Sequence, residues 1–232
     1  MQLLLTCEHA TNRVPARFAP LFHEHQTLLS SHRGYDPGAL MLARFMQRSL
    51  KSPLLASTVS RLLIENNRSL HHRNLFSLVT RELDDHERDR IIRQYYTPHR
   101  SAVVDRAAAM MREGRTVLHV GVHSFTPVLN GEVRRADIGL LFDPRRRLEA
   151  SICRTWQARL EASLPGMVIR RNYPYKGISD GLTTSLRKQF PAGRYLGVEL
   201  EVNSKHLTGG TSPARAALCA AISRTLEEVL HC

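Results

Sequence analysis

The chain has 232 residues, 42% of them hydrophobic and 23% charged, which suits one soluble globular domain with a sizeable core. An excess of 33 Lys+Arg over 21 Asp+Glu leaves a formal charge of +12, yet the arginines are scattered and no helix-turn-helix, zinc-finger or aromatic-basic pattern accompanies them, so the charge by itself does not make a nucleic-acid reader. No apolar run approaches the roughly 20 residues of a membrane span. The N-terminus has no basic leader or cleavage site, so no signal peptide is expected, and four dispersed cysteines without a CxxC pair fit a reducing, cytoplasmic setting.

Leu3-Leu4-Leu5-Thr6-Cys7 is a short apolar run without helical period, and it leads into Glu8-His9-Ala10-Thr11-Asn12. It reads as a buried strand that delivers polar residues to its tip, where open α/β sheets place their ligands. Val14-Pro15 opens a loop or short helix. Asp36, followed by Pro37, is a good start for a helix running to about Leu50. A second strand is expected over Leu54–Val59. A long helix follows over Glu87–Arg112, broken or kinked at Pro98. Thr116–Val122 is a third strand, ending in His123-Ser124.

Asp137–Phe142 and Val168–Arg170 are further strands, separated by a helix over Arg146–Ser163. A Gly/Pro/Asn loop spans 172–181. The last strand covers Arg194–Val202, and a closing helix starts at Ser212-Pro213 and runs to about Leu230. Strands alternating with helices of this length predict a three-layer α/β/α sandwich around a mixed, mostly parallel sheet.

Three strands carry residues suited to hydrolytic chemistry. His9 and His123 each follow an apolar strand, and imidazoles are the commonest zinc ligands. Glu199 sits in the otherwise apolar Leu196-Gly197-Val198-Glu199-Leu200-Glu201-Val202, where a carboxylate is costly to bury unless paired or catalytic. Glu199 and Glu201 share a face by strand alternation. A His, then a second His, then a Glu at three strand ends points to a mononuclear metal hydrolase. Cys7 lies beside this site, but no partner His for thiolate chemistry is specified. His32, His71, His72 and His119 lack comparable context and read as structural or exposed.

The motifs Cys7-Glu8-His9-Ala10 with Pro15, Asp36-x-Gly38-Ala39, Ser60-Arg61, Asn67-Arg68, His123-Ser124, Asp137-x-Gly139, Asn172-x-Pro174-Tyr175 with Gly177, and Gly197-Val198-Glu199-Leu200 together resemble the N-formylglutamate amidohydrolase family. The resemblance runs from residue 3 to about 205 and extends to zinc carboxypeptidases and acylamino-acid deacylases. It implies a zinc-exopeptidase-like fold, one zinc per chain, His9 and His123 as ligands, and Glu199 as general base. The carboxypeptidase pattern has a Glu three residues after the first His, where this chain has Asn12. Asp36 is the favoured third ligand, with Glu8 and Asn12 as rivals and helix N-capping as its alternative role. The resemblance also implies that Asn67 and Arg68 grip a substrate carboxylate, a task suited to the guanidinium fork. It adds Arg61 as a further contact and Asn172 and Tyr175 on a pocket loop. It departs from the family at Glu65, where Asp is usual.

The expected partner is therefore a small anionic N-acyl amino acid, such as N-formyl-L-glutamate, cleaved to formate and the free amino acid, with no membrane attachment. The alternatives are a related amidohydrolase acting on a different acyl amino acid or cell-wall peptide, and a basic nucleic-acid binder on an α/β scaffold.

Overall fold

The computed structural model describes residues 1–231. Six strands form one sheet: β1 (Gln2–Cys7), β2 (Leu54–Ala56), β3 (Val117–Phe125), β4 (Ile138–Leu141), β5 (Ile169–Arg171) and β6 (Tyr195–Asn203). Their spatial order is β2-β1-β3-β6-β4-β5, and every neighbouring pair is parallel except β6 with β4. The sheet is thus mixed and mostly parallel, as the alternation of elements implies. Helices cover both faces, completing the α/β/α sandwich. Among the described residues, no helix is long and apolar enough to cross a membrane.

Strand alternation sorts the side chains between the two faces. On one face Leu3, Leu5 and Cys7 of β1 join Leu118, Val120 and Val122 of β3 and Leu196, Val198, Leu200 and Val202 of β6. These pack against α1 (Ala39–Leu50), which supplies Leu42 and Met46. Further helices on this face bring Trp156 and Ile222 to the same core. On the other face, Leu4, Val117 and Tyr195 meet Val103 and Met110 of the helix Thr97–Arg112. Toward the carboxyl ends of β1, β3 and β6 this second face changes character. Its residues there are Thr6, Glu8, His119, Gly121, His123, Glu199 and Glu201.

Several boundaries differ from the sequence expectation. The helix expected over Glu87–Arg112 is an α-helix over Asp85–Ile91, a π-turn over Ile92–Tyr96, and an α-helix over Thr97–Arg112. Pro98 falls in the first turn of the last segment. It has no N–H to donate and its ring crowds the carbonyl four residues back, so the chain widens just before it. β2 stops at Ala56 because Ser57 turns, its hydroxyl bonding the Val59 carbonyl at 3.0 Å. β3 runs to Phe125, so His123 lies inside the strand rather than after it. A helix over Leu182–Gln189 was not anticipated. Its apolar residues Leu182 and Leu186 lie four apart, too short a stripe to stand out in the sequence.

Candidate metal centre and active site

His9, in the turn that ends β1, and His123, within β3, stand with ring centroids 5.0 Å apart. Between them lies Asp36. Its backbone N–H donates to the His9 carbonyl at 3.0 Å, which pins the loop before α1 to the tip of β1. Asp36 Oδ2 is 3.1 Å from His9 Nδ1 and 2.9 Å from His123 Nδ1. One ligand atom from each residue falls within 4.8 Å of the others, and all three residues are buried.

The outer nitrogens of both rings meet further carboxylates. His9 Nε2 lies 2.5 Å from Glu65 Oε1, and His123 Nε2 lies 2.9 Å from Glu8 Oε2. A ring that gives its Nε2–H to a carboxylate keeps its Nδ1 lone pair free for a metal, and this support behind the ligands is the usual design of histidine metal sites. Two imidazoles and a carboxylate match the donor set of a catalytic zinc site, which keeps one position open. The residues present therefore fit the group that the resemblance implies. Of the three candidates for the third ligand, Asp36 joins the two Nδ1 atoms and Glu8 braces His123 from behind. Asn12 does not line the cavity.

The electrostatics follow from this crowding. Burial alone raises the Asp36 carboxyl, but the His9 and His123 imidazoles outweigh it and hold the group well below the usual carboxylate range. Burial likewise raises Glu65, and Arg61 and His9 overcome it. Burial lowers the His123 imidazole, and its contacts with Asp36 and Glu8 more than reverse that, so its proton affinity is well above normal. Such a strongly anionic surround is what a cation would neutralise.

A cavity of about 200 Å³ opens onto the triad. Its walls include Arg61, Asn67, Arg68, Tyr175, Lys176, Asp180, Glu199 and Glu201. The loop that carries the first three is anchored by a side core of Phe18, Phe22, Leu63, Ile64 and Ile91. Arg61 lies at the cavity wall, but its guanidinium is already engaged: Nε donates to Glu65 Oε2 at 2.8 Å and an Nη approaches Asp36 Oδ1 at 3.4 Å. Arg68 donates to the Asp180 carbonyl. The Asn67 side-chain oxygen accepts from the Leu182 N–H at 2.7 Å, capping the unanticipated helix. Tyr175 is 45% exposed, and its hydroxyl accepts from Arg134 at 3.1 Å.

Two sequence readings need correction. Asn172 does not line the cavity: its side-chain oxygen accepts from the Phe142 and Gly177 N–H groups at 3.1 and 3.0 Å, so it shapes the loop instead. Cys7 points to the apolar face, away from the triad, where burial pushes its thiol far up and leaves it inert. His32 is exposed, as expected, and lines the cavity. His119 is structural, as expected, with its ring bonded to Thr6 and Tyr195.

The late strand places two carboxylates at the cavity. Glu199 Oε1 accepts from the Thr183 hydroxyl at 2.9 Å. Glu201 lies opposite His123 in the β3–β6 register. Its Oε2 is buried without a hydrogen-bond partner, and burial first, with Asp36 and Glu199 adding to it against His123, raises its carboxyl to about 8. Glu65 and Glu201 were the functional candidates that sequence reasoning passed over. Strand alternation put Glu201 on the right face, and Glu65 stood out only as a departure from the family pattern.

A crystal structure of a gene product from Agrobacterium tumefaciens is 28% identical, covers 99% of this chain and 90% of its own, and superposes with a TM-score of 0.85. The N-formylglutamate amidohydrolase from Ralstonia eutropha JMP134 is 22% identical, matches 100% of this chain and 93% of its own, and gives a TM-score of 0.72, a likeness of fold. No curated protein sequence matches. The family model for N-formylglutamate amidohydrolase matches residues 1–207, and the chain belongs to that family of amidohydrolases.

Proposed function

We propose that this protein is a zinc-dependent amidohydrolase that cleaves an N-formyl or other N-acyl amino acid, N-formyl-L-glutamate first among them. The observation that carries the reading is the convergence of His9 Nδ1, His123 Nδ1 and Asp36 Oδ2, each ring backed by a second carboxylate. His9, His123 and Asp36 would hold a zinc ion, which would supply Lewis-acid polarisation of the scissile carbonyl and activation of the attacking water.

The chain's own residues supply the rest. Glu201 is buried at the cavity, unpaired and beside His123. In its ionised form, which a cation held beside it would favour, it takes the proton of the attacking water and passes it to the leaving nitrogen, so that the C–N bond breaks to give formate and the free amino group. Glu199, the base expected from the sequence, is held by Thr183 and is the second candidate for that role. Arg68 and Lys176 line the same cavity and hold the substrate carboxylate, which keeps the amide beside the triad. Arg61 acts at one remove: it neutralises Glu65 and so steadies His9.

The deciding experiment is zinc content of the purified protein together with formate release from N-formyl-L-glutamate and acid release from a panel of other N-acyl amino acids. About one zinc per chain, as a single set of three ligands implies, with hydrolysis of at least one panel member, supports the reading. No zinc uptake after metal is added back, or zinc uptake without hydrolysis of any acyl amino acid, refutes it.

A further inference from the structure

Two loops meet at the cavity, and one side chain joins them. The first follows β3: Thr126 and Pro127 lead into a two-stranded hairpin, Val128–Leu129 paired antiparallel with Glu132–Val133. Its turn residues Asn130 and Gly131 both have positive φ, 51° and 82°, as the tightest hairpin turns demand. The second loop spans 172–181, and its base is fixed by Asn172. Tyr175 and Lys176 of this loop line the cavity together with Phe125 and Thr126 of the first.

Arg134, the residue after the hairpin, is held at both backbone groups. Its N–H donates to the Pro127 carbonyl at 2.8 Å, and its carbonyl accepts from Asn203 Nδ2 at 3.5 Å. From that backbone its guanidinium lies over two rings, 5.8 Å from the Phe125 centroid and 5.1 Å from the Tyr175 centroid, both within range of cation–π attraction. One Nη also donates to the Tyr175 hydroxyl at 3.1 Å.

A guanidinium has five donors and no acceptor, so the direction of that bond is settled and the phenol oxygen accepts. The phenol's own hydrogen is left to be given elsewhere, and among the described residues it meets no acceptor. An exposed tyrosine on a loop loses rotamer freedom when a ligand orders it. Here the stack and the hydrogen bond order it beforehand.

We infer that Arg134 is a positioning residue for substrate binding: stacked over Phe125 and Tyr175, it turns the Tyr175 O–H into the cavity, where the phenol donates to the substrate carboxylate beside Lys176. The inference rests on the amidohydrolase reading above and gives a role to a residue that does not itself line the cavity. It also accounts for the hairpin, which sets Arg134 where it reaches both rings.

The test is steady-state kinetics of the zinc-loaded wild type, Arg134→Met, Tyr175→Phe and the double variant, on the N-acyl amino acid that the wild type hydrolyses fastest. Thermal unfolding is the folding control. Tyr175→Phe keeps the ring and removes the O–H. It should raise KM about tenfold, the low end for a hydrogen bond to a charged group. Its kcat should change less than about twofold, because the carboxylate is held alike in ground and transition states. Arg134→Met should raise KM roughly three- to tenfold, again with kcat nearly unchanged, a split that a general loosening of the site would not give. The double variant should be no worse than Tyr175→Phe alone, since Arg134 acts through the phenol.

Hydrogen exchange of the metal-free proteins, read by mass spectrometry, needs no catalysis. Exchange across 126–134 and 173–178 should quicken in Arg134→Met and far less in Tyr175→Phe, which keeps the stack. Unchanged exchange in Arg134→Met overturns the inference. So does a folded Arg134→Met or Tyr175→Phe with wild-type KM, a loss confined to kcat, or single losses that multiply to about 30-fold or more in the double variant. A wild type that hydrolyses no acyl amino acid removes the reading above and this inference with it; hydrolysis with variants at wild-type KM removes this inference alone.

Discussion

Arg187→Met is the perturbation whose cost the structure specifies most fully. Glu149 is 0% exposed, and the Arg187 Nε lies 3.1 Å from both of its oxygens. Its remaining acceptor capacity goes to the Asp143 and Gly197 N–H groups, each at 3.0 Å. The other Arg187 nitrogens donate to the Gly177 and Gly197 carbonyls at 2.6 and 2.7 Å. One guanidinium thus joins the helix over Arg147–Ser163, strand β6 and the loop that carries Tyr175 and Lys176. Removing one member of a buried pair costs about 3–5 kcal/mol, because a charge is left in a poorly solvated place. Arg146 stays 3.5 Å from Glu149 Oε1 and offsets part of this, so the lower end, about 3 kcal/mol, is expected. For a chain of this size that lowers Tm by roughly 6–12 °C. The assay is thermal and urea unfolding of Arg187→Met beside a Glu149→Leu, Arg187→Met double variant. The double variant should recover much of the loss, since it removes the charge along with its partner. A Tm for Arg187→Met within about 2 °C of wild type, less than 1 kcal/mol at this chain length, would refute the argument that this pair ties the loop to the scaffold.

Further expectations follow from the site. Glu65→Gln should weaken zinc binding about 10- to 100-fold and Asp36→Asn by more, since it removes a ligand; equal losses in competition titrations would count against Asp36 as a ligand. Glu201→Gln should lower kcat by about 10²- to 10⁴-fold, with zinc content unchanged, and Glu199→Gln by less. The reverse order in steady-state kinetics would return the base to Glu199. Arg68→Ala should raise KM for N-formyl-L-glutamate far more than for its carboxamide analogue; equal effects on the two would show that Arg68 does not meet the carboxylate. Cys7, buried with its thiol pushed up, should resist iodoacetamide in the folded protein and react on unfolding, as peptide mass spectrometry would show.

The sequence by itself determined the layer architecture and most of the site. Apolar runs of strand length separated by helical stripes have few other ways to bury both faces, and α1 and the helix Ser212–Leu230 end where their patterns end. His9, His123 and Asp36 were legible because each stands at or near the end of a buried strand or at a helix start, where a polar residue is conspicuous. What only the tertiary structure decided was which polar residues support that site and from where. Glu8 and Glu65 lie in segments that say nothing of facing a ring, and they become partners of His123 and His9 only when β1, β3 and the loop after β2 are brought together. Glu199 and Glu201 are equivalent by strand period. Their difference, one held by Thr183 and the other unpaired beside His123, comes from a helix with too little apolar pattern to predict. Asn172 and Asn67 show the same limit. The sequence marks both as loop polar residues, and the backbone N–H groups they accept from are set by the fold. Periodicity reports which way a side chain faces, whereas hydrogen-bond partners depend on distances across the chain that no local pattern encodes.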